Sequence, residues 1–274
     1  ALGIAASYSG GLIEFSRCRE GAMVKRLHLG KAAEGGVTAA LLASQGFAGP
    51  ESVLEGKFGF CQTYSDSPQL GSLTYRLGRD FESMNICIKR CACHINAHAP
   101  IEALQQLRDQ YNFRPEDIQE ILVGGIEKLV THHAIYRPTD LMMAQYSIPF
   151  CIALSLYADP TDPQSFNETR LKNKNMRRIM RRVNLLVDDE IEHRGWDRAA
   201  RVTVVLNNQE RRSALVIHFK GTPDNPLSRS EVENKARKLT AALLPPRRLA
   251  RLVETVDHLD KVNDVSQLGA LLKI

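Results

Sequence analysis

The chain has 274 residues and a mass of 30.6 kDa, enough to bury a sizeable core. Hydrophobic residues make up 43% and charged residues 24%, which excludes a disordered or collagen-like chain. The formal charge of +5 suits small anions as well as nucleic acid, so charge alone decides between neither.

The opening ALGIAASYSGGLIEF reads as buried helix with no cap before it, which suggests further sequence upstream. Its small residues would let another element approach closely. Residues 31–45 have helical spacing, with Ala33, Val37, Ala40, Leu41 and Ser44 on one face and Gly46 as a stop. A short helix is expected at ESVLEG, and residues 58–80 read as loop. The pattern then changes. Residues 83–89 and 118–126 alternate like strands, and Pro100 to Tyr111 between them has helical spacing. A long apolar helix is expected over 140–157, kinked at Pro149. Residues 168–182 read as a basic helix, and strands follow at 183–191, 201–206 and 212–219, the last two as a hairpin. Three helices close the chain, the first with Ser228 or Ser230 as N-cap, the others at 247–259 and 264–272.

This order predicts an α+β fold in which a mostly helical domain is interrupted by an inserted α+β lid domain. The expected boundaries are 1–80 for the first helical part, 81–222 for the lid, and 223–274 for the helical return segment. No run of about 18 apolar residues occurs, so no membrane span is expected. The opening residues lack the basic start of a secretory signal. Six cysteines (Cys18, Cys61, Cys87, Cys91, Cys93 and Cys151) are too sparse for a disulfide framework and read as free thiols in a reducing, cytoplasmic compartment.

Four groups of residues could carry chemistry. Lys25 and His28 stand ahead of the 31–45 helix, read as a turn leading to a helix N-terminus, where a carboxylate would be favoured. Lys89, Arg90 and His94 surround Cys91 and Cys93 at the end of the first lid strand. With Cys87, these thiols invite a metal reading, but C-x3-C-x-C-H is not the paired knuckle of zinc sites, so packing thiols are favoured and no metal is expected. His98 would sit near His94 if residues 95–100 curl, and His132-His133 read as surface. The basic stretch from Lys172 to Arg182 has no interleaved aromatics and reads as a solvated outer face, so no nucleic-acid partner is expected. No dinucleotide fingerprint, P-loop or nucleophile elbow is present.

Gly21-Ala-Met-Val-Lys25-Arg-Leu-His28-Leu-Gly30-Lys-Ala-Ala, Gly36 through Ala43, Gly46-Phe-Ala-Gly49-Pro50 and Val53 through Phe60 closely resemble the MmgE/PrpD family. The likeness continues, more loosely, through Lys89 to His94 and through Ala144-Gln-Tyr-Ser147-Ile-Pro149-Phe. That family includes 2-methylcitrate dehydratase, cis-aconitate decarboxylase and iminodisuccinate epimerase. The resemblance implies a cofactor-free lyase acting on a di- or tricarboxylate, most directly a 2-methylcitrate dehydratase-like hydro-lyase, with decarboxylation or epimerisation as alternatives. It implies a small carboxylate as the partner and a homodimer. It places Lys25, Lys89 and His94 in catalysis and adds His28 and Arg90 in substrate binding. Further site residues of the family fall before the segment where this chain starts, so a fragment or subunit needing a separate amino-terminal chain is a further alternative. Some family members have a site Tyr before the Arg-Pro turn; Ala134 stands at that place here, with Tyr136 or a His of the His132-His133 pair as the expected substitute.

Overall fold

A computed structural model describes residues 1–17 and 24–273, apart from the side chains of Ser16 and Arg17. Cys18 and the Gly21-Ala-Met start of the family-like block lie outside the described residues. The chain divides into two compact units, Ala1–Ser83 and Met84–Ile274.

The first unit is helical. It holds α1 (Leu2–Ser7), α2 (Val24–Ser44) and α3 (Phe60–Tyr64). The helix expected from residue 31 begins a full two turns earlier, so Lys25 and His28 lie inside α2 and not on a turn before it. Gly46 ends α2 as expected, in the left-handed region with φ 83°. The face that α2 buries is Gly35 and Ala39, not the predicted stripe. These two small residues are four apart and let α1, with its buried Gly3 and Ile4, lie close. Leu27, Leu29, Val37 and Leu41 of α2 are exposed. ESVLEG forms turns, and the short helix comes just after it as α3.

The second unit is α+β. Its elements are α4 (His98–Tyr111), β1 (Ile118–Gly125), α5 (Glu127–His133), α6 (Leu141–Tyr146), α7 (Ile148–Tyr157), α8 (Glu168–Leu171), α9 (Lys174–Met180), β2 (Val183–Val187), α10 (Asp189–Arg194), β3 (Ala200–Leu206), β4 (Arg211–Val216), α11 (Arg229–Thr240), α12 (Pro246–Asp257) and α13 (Ser266–Leu272). The strands form one mixed sheet in the order β2-β1-β3-β4. β1 and β2 are parallel, with Val123 opposite Leu185, and the chain from α5 to α9 supplies the crossover that a parallel pair requires. β3 pairs antiparallel with both β1 and β4, the latter as the expected hairpin. A register shift between Ile118 and Glu120 brings Ile118 into the same core as Ile121, although the two are three residues apart.

The core lies between this sheet and α4, α7 and α9. α4 offers Ile101, Leu104 and Leu107 at helical spacing and ends at Asn112, which takes the left-handed conformation. α7 is buried on every side, from Ile148 to Leu156, as an apolar helix in the middle of a unit must be. The long helix expected over 140–157 is two helices and not one kinked rod. Ser147 separates them: its Oγ accepts from the Phe150 amide at 3.0 Å and donates to the Ile135 carbonyl at 2.5 Å. Pro149 then sits in the first turn of α7, where its missing N–H costs nothing. The basic stretch is likewise split into α8 and α9. α9 buries Met176, Ile179 and Met180 and turns Lys174, Arg177 and Arg178 to solvent. Among the described residues no helix is long and apolar enough to cross a membrane.

Residues 86–94, read in part as a strand, join no sheet. Four of its backbone amides instead find separate partners. Ile88 donates to the Gly221 carbonyl at 2.8 Å, Ala92 to Pro160 at 3.2 Å and His94 to Gln145 at 2.8 Å. The Cys91 amide donates to Nε2 of buried His98 at 3.1 Å, and Nδ1 of His98 donates to the His94 carbonyl at 3.2 Å. His98 is thus brought to His94 by the curl at Ile95–Ala97, as the spacing allowed. Burial lowers its pKa to about 4.

Two outcomes follow from this packing. Ser147→Ala removes a cap and strands the Ile135 carbonyl, and should cost about 2 kcal/mol in urea unfolding. His98 is held neutral in the fold and takes up a proton on unfolding near its ordinary pKa of about 6.5. Its contribution is therefore present above pH ~6.5 and lost as pH falls toward 4, a change of about 3 kcal/mol. Urea midpoints measured across that range should fall in the parent protein and fall less steeply in His98→Gln.

Candidate active site

In the first unit, Lys25 and His28 are three residues apart on α2 and share one helix face. Both meet Phe15: the Lys25 ammonium lies 5.7 Å from the centre of its ring, and His28 meets the ring edge-on at 5.6 Å. His28 is half-buried and Lys25 exposed. A cation and an imidazole on one helix face can receive a carboxylate.

In the second unit, Lys89 and His94 belong to one pinned segment. The Lys89 ammonium donates to the Cys93 carbonyl at 3.1 Å, one residue before His94. Two anchors hold the Lys89 backbone. Lys235 of α11 donates to its carbonyl at 2.7 Å, and Gly221 accepts from its neighbour Ile88. Gly221 has φ 109°, and a Cβ there would fall 2.1 Å from the Ile88 carbonyl oxygen, so only glycine permits this approach. Arg90 points elsewhere. Its guanidinium donates to Gln105 of α4 at 3.0 Å and lines a cleft with Lys235 and Lys238.

His94 is half-buried and caps the short turn at Ile95–Ala97, its Nδ1 accepting from the Asn96 amide at 3.3 Å. Its ring lies 4.3 Å from that of His133 and 4.8 Å from that of Tyr146. His133 is 2% exposed. Its Nδ1 is 3.1 Å from the Tyr146 carbonyl and its Nε2 is 3.2 Å from Nδ2 of Asn96. The sequence reading placed His133 on the surface and passed over Asn96 and Tyr146. One signal was available: Leu129 and His133 are four apart in α5, and both are buried.

The thiols are core groups. Cys91, Cys93 and Cys151 are buried and free, while Cys87 is half-buried and accepts from Arg198 at 2.7 Å. Hydrogen bonding to Cys93, and then burial, push Cys91 far above the ordinary thiol range; Cys93 is raised chiefly by its bond to Cys151. Cys91, Cys93 and Cys151 therefore pack as buried thiols within the core. Among the described residues, no three His, Cys, Asp or Glu side chains are grouped to hold a metal ion.

A family model described as the MmgE/PrpD C-terminal domain matches residues 91–261, and one described as the MmgE/PrpD N-terminal domain matches residues 1–72. The chain is 29% identical to a cis-aconitate decarboxylase-like protein of Aspergillus oryzae, over 99% of this chain and 59% of the relative. It is 26% identical to a cis-aconitate decarboxylase of Aspergillus terreus, over 99% of this chain and 58% of that protein. It is 24% identical to the human cis-aconitate decarboxylase, over 100% of this chain and 57% of that protein. The chain spans about three-fifths of the length of these curated relatives. With both family models matched in chain order, and the larger covering more than half of its residues, the chain belongs to the MmgE/PrpD family.

Proposed function

We propose that this chain is the larger part of a lyase that acts on a di- or tricarboxylate, with cis-aconitate as the first substrate to test. The observation that carries the reading is that Lys89 and His94 stand on one anchored segment, with the Lys89 ammonium bonded to the Cys93 carbonyl beside His94, in a chain of this family. Release of carbon dioxide leaves a bonding electron pair on the substrate skeleton. The pair is delocalised toward a remaining carboxylate, and a proton is taken up at carbon. Preorganised cations stabilise that charge far better than mobile water does. Lys25 and Lys89 supply it, and His28 and His94 bind carboxylate oxygens. Arg90 has a supporting role, because Gln105 already holds its guanidinium. The substrate's own carboxylates accept the charge, so the reading requires no cofactor.

Dehydration of 2-methylcitrate is the second reading, supported by membership of the same family. There, loss of a proton α to a carboxylate precedes loss of hydroxyl, and the same cations serve. A cytoplasmic homodimer accompanies either reading.

The intact protein should release carbon dioxide from cis-aconitate, or water from 2-methylcitrate, without added metal. Lys89→Ala and Lys25→Ala should each lower kcat/KM by about 10²-fold or more while leaving the urea midpoint unchanged. Full activity in both variants would remove these residues from the mechanism. Gly221→Ala leaves every site side chain in place but displaces the Ile88 carbonyl. A comparable loss of kcat/KM in that variant would show that the anchoring of Lys89 matters, and not its charge alone.

A further inference from the structure

Next to the segment that carries Lys89, the second unit has a cleft of about 150 Å³ in which positive charge collects. Glu231, Asn234, Lys235 and Lys238 recur at spacings of three and four along α11 and so share one helix face. Arg90 and Thr161 reach the same cleft from two other segments. Lys238 is balanced by Asp159 at 2.8 Å, and Glu231 by Lys220 at 3.4 Å. Arg90 and Lys235 have no such balance. Arg90 donates to the neutral amide oxygen of Gln105 at 3.0 Å, and Lys235 to the neutral carbonyl of Lys89 at 2.7 Å. Among the described residues neither of them forms an ion pair. Two half-buried like charges therefore line one small cleft, an arrangement that costs energy until an anion joins it.

From this we infer that the cleft is a binding site for a small tetrahedral oxyanion, inorganic phosphate in class, held between Arg90 and Lys235. Volume and donors together select that class. The cleft is well below the roughly 300 Å³ at which pockets for drug-sized molecules begin, so it takes one compact anion. Donors that arrive from three segments suit an anion with oxygens on every side better than a flat carboxylate. A lysine ammonium has several N–H groups, and so has a guanidinium. Lys235 can therefore keep the Lys89 carbonyl, and Arg90 can keep Gln105, while each also donates to phosphate. Bound phosphate braces α11 against the segment that carries Lys89. It does so whether or not the chain is a lyase.

The test is titration of the intact protein with inorganic phosphate at constant ionic strength, read by calorimetry and by amide NMR. Saturable binding of one phosphate is expected, with amide shifts gathered at Arg90, Thr161 and Asn234 to Lys238 and a raised thermal midpoint. That map is made on the parent protein and needs no variant. Arg90→Gln and Lys235→Gln should each weaken binding about tenfold or more, whereas Lys174→Gln on α9 should leave it unchanged. Glycerol 3-phosphate, whose ester carbon needs more room, should bind about tenfold more weakly than phosphate. Tighter binding of the ester would overturn the assignment to the free anion. Absence of saturation, or shifts that gather at the exposed Arg247 and Arg251 of α12 instead, would overturn the site itself. Displacement of phosphate by an equal concentration of cis-aconitate would also overturn it, because the cleft would then be part of the candidate active site.

Discussion

The second unit depends on how the segment from Ile88 to His98 satisfies its backbone without a sheet. A buried or half-buried amide with no partner costs about as much as several good contacts return. Here Gly221, Pro160, His98 and Gln145 each take one amide, and they come from four separate parts of the chain. The segment is extended but belongs to no ladder. It is as firmly placed as a strand, yet its side chains are not obliged to alternate between two faces. That freedom allows Cys91 and Cys93 to enter the core while Lys89 stays exposed and His94 half-buried.

Much of the fold was legible in the residues. The spacing of Ile101, Leu104 and Leu107, the alternation in β1 and β3, and the Ser228 to Glu231 capping box each specify an element by local physics, and each is found. The misreadings share a cause, since they fall where tertiary bonding overrides local pattern. Residues 83–89 alternate like a strand, but Glu82–Asn85 form a 3-10 turn and Ile88 gives its amide to distant Gly221. Residues 140–157 read as one kinked helix because a proline draws the eye, whereas the break is made by the serine two residues before it. In α2 the apolar stripe pointed to one face, and the close approach of α1 chose the face of small residues instead.

The candidate site was half legible. Lys89 and His94 could be picked out because residue type and spacing resemble a known family. His133 and Asn96 could not, because what marks them is a contact between residues far apart in the chain, which a linear reading does not hold. His133 is also adjacent to His132 in sequence, and a polar pair on a short helix suggests solvent. Only the four-residue spacing from Leu129 marks one of the two as buried. Three thiols and a histidine within eight residues invite a metal reading, and in the fold Cys91 and Cys93 are part of the buried packing.

The anchoring of Lys89 has a consequence for biosynthesis. The ribosome releases a chain from its amino end, and elements fold as their partners emerge. Lys89 and His94 are made early, but Gly221 and Lys235, which fix the backbone of Lys89, are made much later. The sheet has the same property, since β1 must wait for β3 to gain its antiparallel neighbour. The nascent chain therefore carries these candidate side chains for a long interval before the backbone of Lys89 is fixed. That anchoring is complete only when Lys235 of α11 has left the exit tunnel and reached the Lys89 carbonyl.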